Sequence, residues 1–317
     1  MSEIKGLADK AILVNLSISQ YGGTAKDKDA TKLVLNNFNA LSEAGTFTKH
    51  LIPKEGAASR VTTAVNTIRK YFKTHTSPWD YRGTGIIRSS KYQEFVNTIR
   101  RLIEEYHEAV KEMISEFPSL QEKAKNTFLQ DLYNANDYPS IWELERKFKI
   151  SLEVFPIPKT EDYRVDWSEE EKRKIDEDRQ QLENERLEKV NRGLWERIHN
   201  PLKHIALTLS KEDPKIYKSL LTNLSSLLEI LPDLNITDDP ELEEMRKEIL
   251  DTLFENDIDA IRESKIIKDE TANKAKKLVK KIIDNNHVEE EQDIIDIMST
   301  YAPIPNNTTG VQTKIDN

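Results

Sequence analysis

The chain has 317 residues, of which 32% are charged and 37% hydrophobic, with nine glycines and no cysteine. The missing cysteine excludes disulfides, thiolate zinc sites and cysteine nucleophiles, and high charge with few glycines favours helices with wide solvated faces. The net charge of −9 is unevenly held: residues 1–103 carry 16 Lys/Arg against 8 Asp/Glu, so the rest sums to −17. A basic head on an acidic body points to an anionic partner for the head. The plainer account is that the two parts attract each other, within one chain or between subunits.

The N-terminal apolar run is too short for a membrane span and has no small-residue cleavage site after it, so neither a signal peptide nor a transmembrane helix is expected. From Ile12 to Ser19 apolar residues alternate as in a strand. Gly22-Gly23 then forms a turn, and Asp29 or Thr31 opens a helix that runs through Asn39. Strand, glycine turn and helix follow in the order of a phosphate loop. The Gly-x-x-x-x-Gly-Lys-Ser/Thr and Gly-x-Gly-x-x-Gly spacings that converge amides on phosphate are both missing, so the stretch reads as a turn that leaves Lys26 and Lys28 in solvent.

Thr46 to Ile52 reads as a second strand, and the segment from Gly56 to His75 as a helix with Val61, Val65, Ile68 and Phe72 on one stripe. "TSPWDYRGTGIIRSS" is rich in turn formers and reads as a loop. Ser90 and Gln93 have the spacing of a capping box for a long amphipathic helix ending at Pro118. Shorter helices over Leu120–Tyr133 and Ser140–Lys147 lead to a third strand in "KISLEVFPIP". Three strands so far apart would form a small sheet covered by helices.

Beyond Asp166 only helices are expected. Ser168 caps a segment in which 16 of the 24 residues from Glu169 to Arg192 are charged, too sparse in apolar residues for a heptad seam. Apolar periodicity resumes from Val190 to Leu209 with a kink at Pro201. It returns from Ser210 to a stop at Pro232, and Asp239-Pro240 opens a further helix. "ANKAKKLVKKII" is a basic amphipathic segment and "EEEQDIIDIMSTY" an acidic one. The expected class is α+β and predominantly α-helical, with a small three-stranded sheet in an N-terminal head and long amphipathic and charged helices in a C-terminal body. Residues 1–165 form the basic head, 166–300 the acidic helical body and 301–317 a flexible tail.

The histidines have no zinc spacing: His199 and His204 are five apart, so their rings splay. No calcium loop or nucleophile elbow occurs, carboxylates are too plentiful for an acid/base pair to stand out, and no cofactor is implied. A non-enzymatic protein is expected. One cluster interleaves aromatics and cations as single-stranded nucleic acid requires, cations for phosphates and rings for bases. It comprises Lys73, Trp79, Tyr81, Arg82, Arg88 and Lys91, with Lys26 and Lys28 as outer phosphate contacts; the plainer account has Trp79 and Tyr71 packing the head.

Several stretches in order, "LVNLSISQY" with "DKDATK", "TSPWDYRGTGII", "NDYPSIWELERKFKISLEVFPIP", "LWERIHNPLKHIA" and "LNITDDPELEEMRKEI", resemble a phage- and prophage-encoded family known only as a domain of unknown function. The resemblance spans about residues 10–255. Genes beside members of that family concern phage DNA metabolism or AAA+ ATPase chaperone systems, which implies a viral accessory role in the host cytoplasm. It carries over no catalytic residue. Two functions are therefore expected: contact with single-stranded DNA or RNA through the basic aromatic head, or a scaffold that binds a phage or host protein such as an AAA+ ATPase, or assembles with itself as a homo-oligomer.

Overall fold

The structure, a computed structural model, describes residues 7–53, 55–80, 82–158, 168–285 and 287–288. Tyr81, the acidic segment from Glu289 and the expected tail lie outside the described residues. The chain divides into two compact units. Among the described residues, unit 1 runs to Val190 and also takes in Pro232–Asp238, while unit 2 holds Asn191–Leu231 and the chain from Asp239.

The first short helix α1 (Leu7–Lys10) feeds strand β1 (Ala11–Ser19), as the alternation predicts. A two-stranded hairpin of β2 (Thr24–Lys26) and β3 (Thr48–His50) encloses helix α2 (Lys28–Asn37). Helix α3 (Gly56–His75) leads through β4 (Ser77–Pro78) and β5 (Thr84–Arg88) to α4 (Tyr92–Lys123). After irregular turns come α5 (Ile141–Glu145) and β6 (Lys149–Phe155).

The main sheet has four strands in the order β4-β5-β1-β6, all antiparallel. This corrects the three-stranded expectation: Thr48–His50 pairs with β2 in a separate sheet, and "TGIIR", expected as loop, is a strand inside the main one. Its register places Leu13 opposite Ile86 and Ile12 opposite Ile87. Both faces of β5 are therefore covered. Val14 and Ile87 pack with Phe95 and Ile99 of α4, while Leu13 and Ile86 pack on the other face with Leu7, Trp79, Val190 and Ile236. Beneath α3 and α4 a larger core gathers Val61, Val65, Ile68, Leu102, Tyr106 and Phe117.

Helix α4 begins without a side-chain cap on Lys91 and continues through Pro118, so neither the capping box at Ser90 nor the stop at Pro118 is formed. A buried stripe from Phe95 to Leu120 outweighs the one backbone bond that the proline removes. The expected helix over 120–133 breaks into a π turn at Ala124–Phe128 and a 3-10 turn at Gln130–Leu132.

Helix α6 (Glu169–Leu209) is capped by Ser168, whose hydroxyl accepts from Glu171 N while Glu171 Oε2 accepts from Ser168 N at 3.1 Å. Its charged half is anchored where its few apolar residues fall. Val190 is buried, Leu187 packs beside it, and Glu183 is buried with Arg179 at 2.7 Å. The helix runs on through Pro201.

Unit 2 holds the second half of α6, then α7 (Ser219–Leu234) up to Leu231, α8 (Pro240–Leu253), α9 (Ile258–Glu263) and α10 (Lys265–Asp284). As the Asp-Pro pair predicts, Asp239 caps α8 by accepting from Glu241 N at 2.9 Å. Leu194, Ile198, Leu202, Ile205 and Leu209 of α6, Leu224 and Leu228 of α7, and Ile249 of α8 are buried. The basic segment sits within α10, whose Ala275, Leu278 and Ile282 turn inward while Lys281 Nζ reaches Glu248 at 2.6 Å. Among the described residues, no helix is long and apolar enough to cross a membrane.

Candidate functional site

The aromatic loop folds as a hairpin. Asp80 Oδ1 accepts from Arg82 N at 2.9 Å and Thr84 N at 3.0 Å, Trp79 N donates to Thr84 O at 2.8 Å, and Gly83 supplies a φ of +86°. This geometry turns Trp79 inward, and only 5% of its surface remains exposed. Its ring belongs to the core with Leu13, Ile86, Val190 and Ile236, under the Arg186 guanidinium at 5.4 Å from the centroid. Its expected role as a base-stacking ring is corrected accordingly: stacking would require opening that core. Tyr71 is half-buried and stacks on His75 and Phe95.

The cations of the loop separate into two groups. Arg88 donates through Nη2 to Asn235 O and to Asp238 Oδ1, the latter at 2.5 Å, and Lys10 Nζ meets Asp238 at 3.0 Å. Lys91 Nζ lies 3.2 Å from Asp233. Hydrogen bonds from Arg88 and then Lys10 hold the Asp238 carboxyl below the usual carboxylate range, and the bond to Asp233 holds the Lys91 ammonium above the lysine value. These two expected phosphate contacts are thus engaged with the acids of residues 233–238. Lys73 and Arg82 are exposed; Lys26 and Lys28 are exposed on β2 and α2.

The more unusual surface is the excursion between β2 and β3. Asp27, and neither Asp29 nor Thr31, caps α2, accepting from Ala30 N at 2.9 Å and Asp29 N at 3.1 Å. Asp27 N donates to Phe47 O at 3.0 Å, and Thr31 Oγ1 accepts from Phe47 N at 2.9 Å, so the excursion closes on itself. Beneath it lies Lys49, 5% exposed, whose ammonium meets Asp27 at 2.7 Å, Asp137 at 2.9 Å and the carbonyl of Leu132 at 2.6 Å. Burial opposes that charge, but the bonds to Asp27 and Asp137 outweigh it, so the Lys49 ammonium titrates above the ordinary lysine value. The bond from Lys49 likewise holds the Asp27 carboxyl low.

The base is rigid, yet the excursion itself has almost nothing inside. Ala30 is the buried residue of α2, whereas Leu33, Val34, Phe38 and Leu41 are 68%, 44%, 79% and 80% exposed. Lys28 and Lys32 flank this apolar face and are exposed too. A sequence reader takes "TKLVLNNFNAL" for a helix packed inward; nothing in its periodicity says the apolar side faces water.

A third feature joins α5 to the hairpin. Trp142 is 64% exposed, with the Arg146 guanidinium 4.5 Å from its ring centroid. The sequence signal was Trp and Arg four apart on one helix face, obscured by the neighbouring glutamates.

His199 is buried and His204 exposed, so those rings do not converge. Among the described residues, no three His, Asp or Glu side chains gather as a metal site. Comparisons with family models, with curated proteins and with solved structures return no match to this chain.

Proposed function

We propose that the chain is a non-enzymatic scaffold or adaptor that docks a protein partner on the α2 excursion. The observation that carries this is the exposure of Leu33, Val34, Phe38 and Leu41 on a segment whose base is locked by Lys49. Several large apolar side chains exposed on one segment with a fixed base are the mark of a protein interface. Lys28 and Lys32 beside it suit a partner whose apolar groove has an acidic rim. The resemblance to a phage family supplies the setting, a viral accessory protein whose partner is a phage or host protein such as an AAA+ ATPase, or a second copy of this chain. Nucleic-acid contact at the aromatic loop loses support from the burial of Trp79 and the engagement of Arg88 and Lys91.

The test compares the parent with a Leu33→Ser/Phe38→Ser/Leu41→Ser variant by size exclusion with light scattering, with and without oligonucleotide, and by affinity capture from infected cells. The parent is expected to self-associate or to retain a stoichiometric partner that the variant loses, while the two melt alike. Equal association by both, or a monomeric parent that retains nothing the variant does not, overturns the docking face.

A further inference from the structure

Between β2 and α5 a surface cavity of about 560 Å³ opens, lined by Tyr21, Thr24, Asn136, Tyr138, Trp142 and Arg146 among others. That volume is within the range of small-ligand sites, roughly 300–1,000 Å³. Its walls include three aromatic rings, and its two carboxylates are hydrogen-bonded to groups other than its two cations. Of the two carboxylates that line it, Asp137 is bound at 2.9 Å to the buried Lys49 ammonium. Glu143 is held by the cap of α5: its Oε2 accepts from Ser140 N at 2.9 Å and from Ser140 Oγ at 2.8 Å. Those bonds from Ser140, with a smaller contribution from Lys147, keep the Glu143 carboxyl ionised and occupied.

The two cations of the lining, Arg146 and Lys147, form no salt bridge among the described residues. The lining is thus formally neutral, but its carboxylates take their hydrogen bonds from Lys49 and Ser140, which leaves the two cations able to meet an anion. They sit beside an exposed indole that already holds a guanidinium against its ring. A further cation lies along β2. Thr24 lines the cavity, and Lys26, two residues on, shares its outward side, because Ala25 between them packs toward the core.

We propose that this cavity binds a nucleotide unit, with the base stacked on Trp142, the phosphate held by Arg146 and Lys147, and Lys26 the next phosphate contact. An aromatic face with adjacent cations is the combination that holds a base and its phosphate without sequence readout. The site is separate from the apolar face of α2 and does not depend on the docking proposal. The nucleotide is either free or one unit of a single strand.

Full-length protein is titrated with thymidine monophosphate and with an oligothymidylate of about twelve nucleotides, following tryptophan fluorescence. Trp79 and Trp195 are buried, so quenching from solvent reports Trp142 among the described indoles. Quenching is expected in the parent, and the affinity read by isothermal titration calorimetry, which does not depend on the indole, should be weakened about tenfold or more by Trp142→Ala. In an Arg146→Ala/Lys147→Ala variant the slope of log affinity against log salt should fall by about 1.4 for a single strand. Binding of the oligonucleotide alone assigns the site to a strand, and equal binding of the monophosphate assigns it to the free nucleotide; either supports the proposal. No binding of either ligand overturns it, as does binding that both variants leave unchanged. Should Trp142→Ala misfold, the charge variant still decides.

Discussion

Replacing Trp79 by alanine separates a structural tryptophan from a stacking one. The indole is 5% exposed and packs with Leu13, Ile86, Val190 and Ile236. The truncation exposes or empties roughly 150 Å² of apolar surface, worth about 4 kcal/mol at ~25 cal/mol per Å², within the ~3–5 kcal/mol seen for large aromatic truncations. Because the chain has two units, hydrogen exchange at the β1 and β5 amides is the appropriate assay, reporting unit 1 by itself. A loss of 4 kcal/mol lowers their protection by about a thousandfold, at ~1.4 kcal/mol per decade. With a urea slope of ~2 kcal/mol per M, the midpoint of unit 1 falls by about 2 M. If protection stays within a factor of about ten of the parent while oligonucleotide affinity collapses, Trp79 is a binding residue and its assignment to the core is wrong.

Lys49→Met should destabilise unit 1 by about 3 kcal/mol, the low end for breaking a buried ion pair, because Asp27 and Asp137 keep some solvent; urea titration reads it. The folded Asp27 carboxyl titrates below its unfolded value of 3.8, so the unfolded chain binds more protons in that window. Its contribution is present above that pH and lost as pH falls through the folded pKa, a dependence that Asp27→Asn should abolish in acid titrations of stability. Tyr21 tests the alkaline side. Its hydroxyl is buried with no hydrogen-bond partner among the described residues, and burial, assisted by Asp137, pushes its pKa from 10.0 to about 12. The parent should therefore lose stability as pH rises from 10.0 toward 12, whereas Tyr21→Phe should lose less there, the remainder coming from Tyr71, Tyr106 and Tyr138, whose pKa values burial also raises, and at neutral pH it should be as stable as the parent to within ~1 kcal/mol. Gly85→Ala would place a Cβ 2.7 Å from Thr76 Oγ1 and 2.8 Å from Thr76 Cβ, and a thermal melt should show a loss of about 1–3 kcal/mol.

Much of the fold was legible where a local signal sufficed. The alternation of β1 and β6, the Ser168 cap of α6 and the Asp239-Pro240 start of α8 all hold in the structure. The misses share a cause. Strand β5 is buried on both faces, so it shows no alternation, and glycine and threonine in "TGIIR" disguise it as loop. Whether Trp79 is covered depends on Val190 and Ile236, more than a hundred residues away. The loop cations likewise take their partners from residues 233–238. The apolar side of α2 has the composition of a core helix and the opposite environment, a difference that only the tertiary structure reveals.

The return of Pro232–Asp238 to unit 1 bears on how the chain is made. Arg88 and Lys91 are synthesised well before Asp233 and Asp238, an interval of roughly 7–30 seconds at ~5–20 residues per second. Throughout it the Trp79 side of the sheet lacks Val190 and Ile236. Vectorial synthesis thus leaves unit 1 with one open face until Pro232–Asp238 has been translated. A nascent chain stalled before that point presents apolar surface to chaperones, and a fragment ending near residue 165 carries the same unfinished side permanently.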